Sequence, residues 1–209
     1  MTHKLAILVL LPALCFALPA QAQMGGMGIP GEQPSAGERA PQTVTRDVPS
    51  GPEGRAEDLR LRGKCDEAIP IFRALASRGS GFEIARYNLG LCLFDLAKGE
   101  ADAGHAANLN REGAANIRKA ADSSLPSAQL KLVSLYLDAI GVPGDPVEAG
   151  KWSLIYHANG TRIVLGLPDI SPELQARLDA ALTAKTWAEA QSRADAWMPA
   201  AQSSSDADN

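Results

Sequence analysis

Side chains that commonly carry acid–base or metal chemistry are sparse in this 209-residue sequence. Beyond residue 22, histidine occurs only at His105 and His157. A zinc site needs three or four closely spaced ligands, and neither histidine belongs to such a set. Glu112 lies seven residues after His105, two turns along one helix, which would permit a weak acid–base pair. A solvated helix face is the simpler interpretation, so we expect neither a metal nor a cofactor.

Other residue types that support catalysis also lack the surroundings they need. Serines cluster at 123–124 and 203–205, but no Gly-x-Ser-x-Gly motif presents them on a sharp turn. Asp95 and Asp138 occupy equivalent positions in two similar segments. Neighbouring helices pack about 10 Å apart, and paired catalytic carboxylates lie closer together than that. We therefore predict no catalytic residues and a protein that is not an enzyme.

The run "GVPGDPVEAGKW" (141–152) has the glycine content of a phosphate-binding loop. It lacks both a preceding strand and the Gly-Lys-Ser/Thr ending of such loops. The run does contain the residues that end one helix and begin the next. Gly141 supplies a left-handed cap, Asp145 an N-cap and Pro146 the first helical position, and Glu148 completes a capping box.

The elements around this corner are helices that repeat. The segment "ARYNLGLCLFD" (85–95) overlays "AQLKLVSLYLD" (128–138). A second helix type recurs at 67–79, 113–124 and 148–159, where Phe72, Ile117 and Trp152 align as one bulky position. Repeated helix pairs indicate a solenoid in which each hairpin buries its apolar face against the next.

Residues 119–152 resemble one Sel-one-like repeat, a relative of the tetratricopeptide repeat. The residues that match the pattern of this family are Ala120, Ala121, Ala128, Leu132, Tyr136, Gly141, Val142, Asp145, Ala149 and Trp152. Val133 replaces a usual glycine, which the preceding copy keeps as Gly90, and an insert at 97–112 lengthens the first link between helices. The resemblance covers roughly 55–160 and implies an all-α, short helical-hairpin solenoid.

Two further helices, Ser171–Leu182 and Thr186–Trp197, are predicted to form a C-terminal capping pair. Thr186 with Glu189 would make a capping box at the second of them. We expect apolar side chains to form the inner side of this pair as core residues, namely Leu174, Leu178, Leu182, Trp187 and Trp197.

The ends of the chain indicate export. Residues 1–22 have a basic start, an apolar run too short for the roughly 20 residues of a membrane span, and the small-x-small site Ala20-Gln21-Ala22. We predict a signal peptide cleaved after Ala22, a disordered leader (23–54), a repeat domain (55–198) and a disordered tail (199–209). The expected location is periplasmic or secreted. No other apolar stretch is long enough to span a membrane.

The chain beyond residue 22 has 19 basic and 24 acidic residues, a net charge of −5. No cluster of Lys and Arg provides the basic patch that nucleic-acid binders carry, so we expect no nucleic acid as partner.

Cys65 and Cys92 form an even pair in an oxidising compartment. A turn near Gly79–Gly81 would bring them together, and secreted members of the family tie helices in this way. We predict a disulfide, with two buried reduced thiols as the alternative. Its 27-residue loop would contribute about 3–4 kcal/mol.

In tetratricopeptide-like solenoids the first helix of each pair lines the concave face. This implies a partner-binding groove formed by Tyr87, Leu91, Phe94, Asp95, Leu130, Ser134, Leu137 and Asp138. An apolar stripe edged by acids suits a protein or peptide partner with apolar anchors and basic groups. The predicted function is therefore a protein-interaction scaffold. Alternatively, Phe94 and Leu137 are covered by the next hairpin or by residues 160–170, and then they contact no partner.

Two other functions stay open. The protein could be a β-lactam-interacting hydrolase or ligand-binding protein, or it could be a structural envelope component that is held in place through its leader.

Overall fold

The computed structural model describes residues 51–200, and every regular element in this range is an α-helix. The elements are α1 (Pro52–Leu61), α2 (Cys65–Ala76), α3 (Glu83–Gly99), α4 (Ala103–Asp122), α5 (Pro126–Asp138), α6 (Pro146–Ala158), α7 (Gly160–Val164), α8 (Pro172–Ala181) and α9 (Ala184–Asp195). The all-α prediction is confirmed. The predicted signal peptide (1–22), leader residues 23–50 and tail residues 201–209 lie outside the described residues.

Three helical hairpins follow one another, α1–α2, α3–α4 and α5–α6, and each helix packs on the next one along the chain. The first hairpin begins at Pro52, inside the segment predicted as leader, and Gly54 and Ala56 are already buried. Helix α1 therefore includes residues 52–54 of the segment that the sequence assigns to the leader. This succession of antiparallel pairs is the predicted solenoid.

The C-terminal helices close the last hairpin. Helix α9 packs along α6, and α8 makes a smaller contact with the same helix. Leu178 and Leu182 are buried, while Leu174, Trp187 and Trp197 pack against them from partly buried positions. The expected inner side of the capping pair is therefore confirmed as core.

The insert at 97–112 lengthens a helix rather than a link. Only Glu100–Asp102 separate α3 from α4, and the insert supplies the first turns of α4. Asp102 is the N-cap of α4, because its side chain accepts a hydrogen bond of 2.7 Å from the backbone N–H of His105. Part of α4 therefore extends beyond the repeat pattern.

The corner at 141–152 forms as predicted in its main features. The Asp145 side chain accepts hydrogen bonds from the backbone N–H groups of Val147 and Glu148, at 2.9 and 3.1 Å. The predicted capping box is wrong, since the Glu148 side chain bonds Lys151 instead. The left-handed cap of α5 is Ala139, with φ 53°. Gly141, with φ 70°, is required because α4 comes so close that a Cβ would collide with the Asn110 carbonyl.

The N-cap of α9 also differs from the prediction. Thr183 caps this helix and exchanges hydrogen bonds with Thr186, so that the capping box joins these two threonines. Glu189, which was predicted to close the box with Thr186, instead pairs with Arg193 one turn later. The predicted box placed the start of the helix three residues too late.

The buried apolar residues of the range 51–200 form two clusters. The N-terminal core contains Ala56, Cys65, Ala68, Ile69, Phe72, Leu75, Ala85, Leu89, Cys92 and Leu93. The C-terminal core contains Phe94, Ala114, Ile117, Ala120, Ala121, Ala128, Leu132, Val133, Leu135, Ala149, Trp152, Ile155, Leu178 and Leu182. The aligned bulky residues Phe72, Ile117 and Trp152 are all fully buried. The repeat alignment thus identified the central residue of each hairpin.

A disulfide joins Cys65 at the start of α2 to Cys92 in α3. The chain turns between these helices at Gly79 and Gly81, both in the left-handed region. The disulfide prediction is confirmed, and the bond lies within the N-terminal core.

Candidate functional site

The first helices of the three hairpins contribute to one cleft of about 410 Å³. We call it the central cleft. Its lining comes from α1, α3, α4 and α5 together with the residue just beyond α5: Arg60, Leu91, Phe94, Asp95, Ala97, Lys98, Asn110, Lys131, Leu135 and Ile140.

Phe94 forms the floor of the central cleft. Its side chain is only 5% exposed and belongs to the C-terminal core. The ring packs against α4 at Gly113, where a Cβ would lie 3.0 Å from it. The Lys131 ammonium lies 5.6 Å from the ring centroid, which is within the range of a cation–π interaction. Phe94 is therefore a core residue that also lines the cleft, beside Leu91, Leu135 and Ile140.

The charged groups of the cleft are partly paired with each other. Lys98 donates to Asp95 at 2.7 Å, and both side chains are more than half exposed. Arg60 makes two hydrogen bonds to Glu57, of 2.9 and 2.7 Å, and these raise the pKa of the guanidinium further. Tyr87 lies close to Arg60, and its burial raises the pKa of its hydroxyl. Asp95, the acid expected at this edge of the groove, is thus already paired with Lys98 of the same helix.

Two polar groups of the cleft have no partner of this kind. Lys131 forms no ion pair with any carboxylate in the range 51–200. The side-chain amide of Asn110 makes no hydrogen bond to another residue of that range. Both groups line the cleft, so both are available to a bound molecule.

The remaining predicted groove residues lie further along α5. Leu130 and Ser134 are half-buried, and Leu137 is half-buried against the C-terminal core. Asp138 is exposed and pairs with Arg177 of α8. The second predicted acid is therefore neutralised as well. Of the eight predicted residues, the central cleft collects Leu91, Phe94 and Asp95.

Several cleft residues were not predicted, namely Arg60, Ala97, Lys98, Asn110, Lys131, Leu135 and Ile140. The prediction placed the same face of α3 and α5 in the groove. A cleft between two neighbouring helices takes facing sides, so α5 contributes Lys131 and Leu135 rather than Leu130 and Ser134. The i, i+4 spacing of Lys131 and Leu135 is a signal that could have identified this face.

Other concavities lie in the described range, and two of them are similar in volume to the central cleft. One, of about 440 Å³, is formed by the start of α4 and the 139–143 corner, and it shares Asn110 and Ile140 with the central cleft. The other, of about 410 Å³, lies between α6 and α9, with Trp197 and the amides of Gln129, Asn159 and Gln191 in its lining. Neither collects the unpaired Lys131.

The histidines have exposed carboxylate partners. His105 bonds Glu100, and the Asp102 backbone N–H together with this histidine lowers the pKa of the Glu100 carboxyl. The His105–Glu112 pair that the spacing would permit does not form, because Glu112 bonds Arg73 at 2.8–3.0 Å. His157 bonds Asp169. Among residues 51–200, no group of three or more His, Cys, Asp or Glu could hold a metal ion.

These features define an all-α helical-hairpin solenoid with a cleft across the first helices of its hairpins. The solved structures include a match to the crystal structure of a protective antigen present in uropathogenic Escherichia coli strains and displaying an SLR (Sel-one-like repeat) fold. The match has a TM-score of 0.53 at 24% sequence identity and covers 71% of this chain and 30% of that protein. Searches of family models and of curated proteins find no match. This chain therefore has the SLR fold, as the sequence predicts.

Within the described part of the chain, the helices are too short or too polar to cross a membrane.

Proposed function

We propose that this protein is a non-enzymatic interaction scaffold that acts outside the cytoplasm and binds a peptide segment of a partner protein in the central cleft. The observation that carries the proposal is the cleft itself. Leu91 and Ile140 provide apolar contacts beside the buried Phe94 and Leu135, and Asn110 and Lys131 offer unpaired polar groups next to them. Apolar side chains for affinity with a few polar groups for orientation are typical of binding sites.

Two observations support a location outside the cytoplasm. Residues 1–22 have the pattern of a cleaved export signal. The disulfide between Cys65 and Cys92 is of a kind that persists in oxidising compartments and is rare in the cytoplasm. N-terminal sequencing of the protein isolated from the extracytoplasmic fraction tests this part, with Gln23 expected as the first residue. A chain that keeps Met1 and stays in the cytoplasm would contradict it.

Site-specific photocrosslinking tests the cleft. Ile140 lines it and is 39% exposed, whereas Ile84 is 56% exposed and lines none of the cavities described above. A benzophenone amino acid at each position samples the cleft and a matched surface elsewhere. We expect a discrete protein adduct from position 140 in native envelopes, absent from position 84 and lost when Leu91→Glu is added. Identical adducts from both positions, or none from 140 in the envelope of the native organism, would refute the proposal.

The alternatives have separate tests. Turnover of nitrocefin, or covalent labelling by a fluorescent penicillin, would favour the β-lactam-interacting function over a scaffold. Deletion of residues 23–50, which spares α1, tests the structural envelope component. A scaffold that acts through its cleft keeps its position-140 adduct after this deletion, and a component held through its leader loses its localisation.

A further inference from the structure

We infer that the central cleft selects an acidic peptide segment, one that places an Asp or Glu beside an apolar anchor. The inference rests on the proposed function and makes it more specific. It also reverses the expectation from the sequence, in which basic groups of a partner were to meet Asp95 and Asp138.

The charge of the cleft is opposite to that of the domain around it. Its lining has three cations, Arg60, Lys98 and Lys131, and one acid, Asp95. Arg60 is paired with Glu57 and Lys98 with Asp95, so Lys131 is the cation of the lining that remains unpaired. Residues 51–200 as a whole have 17 basic and 19 acidic residues. A basic cleft attracts acidic segments, which favours specificity as well as encounter.

Lys131 is the cation that a ligand carboxylate would meet. It lacks a carboxylate partner within the described chain, and its contact with Phe94 holds the ammonium over the cleft floor. A carboxylate that bonds this ammonium forms a charge-assisted hydrogen bond in a partly desolvated place. An apolar side chain next to that carboxylate would contact Ile140, the exposed apolar residue of the lining. The lining therefore favours a short segment that has an acidic side chain next to an apolar one.

The acid in the cleft does not cancel this preference. Asp95 is bonded to Lys98, so a basic ligand would have to displace that lysine and would still face the unpaired Lys131. An acidic ligand can instead recruit Lys98, because exposed ion pairs of this type are worth only about 0–1 kcal/mol. The Asn110 amide can donate to and accept from the peptide backbone, which fixes an extended segment without adding charge preference.

Selection from a random heptapeptide phage library, panned on the full chain, tests the inference. We expect enrichment of sequences with Asp or Glu adjacent to Leu, Ile, Val or Phe. The selected consensus is then synthesised in acidic form and with Asn and Gln in place of its acids. The acidic peptide should bind more tightly, and its affinity should fall as NaCl rises from about 0.05 to 0.5 M, because salt screens the charges.

Matched charge reversals locate the effect. Lys131→Glu should weaken the acidic peptide about 10- to 100-fold, the value of a charge-assisted hydrogen bond. Lys185→Glu makes the same change of charge at an exposed position of α9 outside the cleft and should leave binding nearly unchanged. Equal losses in both variants would overturn the inference, since binding would then follow net charge alone.

Two further outcomes separate this inference from the function beneath it. Ile140→Asp removes an apolar contact of the cleft, and Ile84→Asp is its control. If the library yields neutral or basic peptides that Ile140→Asp abolishes and Ile84→Asp does not, the acidic preference is wrong and the peptide-binding cleft stands. If no selected peptide depends on Ile140, both are wrong.

Discussion

The two ends of this solenoid are closed by different forces. At the N-terminal core, a disulfide ties α2 to α3 close to Phe72. At the C-terminal core, α9 is attached by apolar packing around Trp152 and by ion pairs. Beyond residue 22 the sequence holds no third cysteine, so no second bond of this kind is available there. One end is thus closed by a covalent bond and the other by apolar packing with ion pairs, so the two ends should respond to different conditions.

The ion pairs at the C-terminal end centre on Glu148. Its carboxylate accepts from Lys151 at 2.9 Å and from Arg193 of α9 at 3.0 Å, with Arg118 of α4 at 3.9 Å. Arg118 and Lys151 also lie over the Trp152 ring, at 5.1 and 4.7 Å from its centroid. One carboxylate therefore connects α4, α6 and α9 around the largest core residue.

The interiors of the last two hairpins differ at equivalent positions as well. Helices α3 and α4 meet at Gly90 and Gly113. Gly90 corresponds to Val133 of α5 when 85–95 is aligned with 128–138, and Gly113 corresponds to Glu148 of α6 when Ala114 is aligned with Ala149. In the α3–α4 hairpin the two glycines let the helix backbones approach closely. In the α5–α6 hairpin the equivalent positions hold the branched side chain of Val133 and the carboxylate of Glu148. A single repeat pattern therefore tolerates two kinds of interior.

The largest effect is expected from the shared bulky position. Trp152→Ala and Phe72→Ala should each destabilise the fold by about 3–5 kcal/mol, because both side chains are fully buried. Urea unfolding monitored by circular dichroism measures both. Trp152→Phe is the control and should cost far less, since it keeps an aromatic ring and removes a buried indole N–H that has no hydrogen-bond partner among the described residues. Equal losses for Trp152→Ala and Trp152→Phe would show that packing is not the cause.

Reduction of the disulfide should cost about 3–4 kcal/mol, given its separation of 27 residues. The free energy of unfolding, measured with and without a phosphine reductant, gives this value. The double variant Cys65→Ala, Cys92→Ala should be destabilised to a similar degree and should not respond to reductant. A reductant effect that persists in the double variant would mean that the disulfide is not responsible.

Much of the fold could be predicted because its signals are local. The Asp145 cap, the bulky series Phe72, Ile117 and Trp152, and the pair Cys65–Cys92 are each visible as residue types at fixed spacing. The boundaries were less certain because they depend on competition between caps. Thr183 and Thr186 are both suitable N-cap residues for α9, and the structure shows that Thr183 takes this position.

The cleft was harder to predict because it depends on which sides of two helices face each other. Phe94 was identified, but its burial comes from the approach of Gly113, which lies in another helix. The sequence also did not show that the two acids expected at the edge of the groove are already paired. Asp95 and Asp138 are neutralised by Lys98 and Arg177, and the second of these contacts joins residues 39 positions apart. Such long-range pairing leaves no signal in the local sequence.

Gly90→Ala should destabilise the protein by about 1–3 kcal/mol through overpacking. The added Cβ would lie 2.8 Å from the Ile117 side chain and 2.9 Å from the Gly113 carbonyl oxygen. Gly99→Ala in the same helix has no atom within 4 Å of its Cβ and should be neutral or stabilising by up to about 1 kcal/mol. Opposite signs in thermal unfolding would confirm that the close approach, not helix propensity, decides. A stabilising Gly90→Ala would contradict the packing of α3 on α4.

The smallest effect concerns the charged closure at Glu148. Its side chain is 18% exposed, so Glu148→Gln should cost about 1–2 kcal/mol near pH 7, between the values for exposed and buried ion pairs. Glu189→Gln removes a carboxylate that is 50% exposed and bonds only Arg193, and it should cost less than about 0.5 kcal/mol.

The pH dependence identifies the carboxylate. Burial alone would raise the pKa of Glu148, but the hydrogen bonds and charges of Lys151, Arg193 and Arg118 outweigh it and hold the pKa below the ordinary 4.5. A carboxyl whose pKa is lowered by folding stabilises the protein above its unfolded pKa, and that contribution is lost as the pH falls through the folded value. The difference in unfolding free energy between the wild type and Glu148→Gln should therefore be constant from pH 7 to about 5.5 and shrink below about 4.5. Urea titrations of both proteins at several pH values measure it. A difference that persists undiminished at pH 3 would show that shape rather than charge holds α9 on α6.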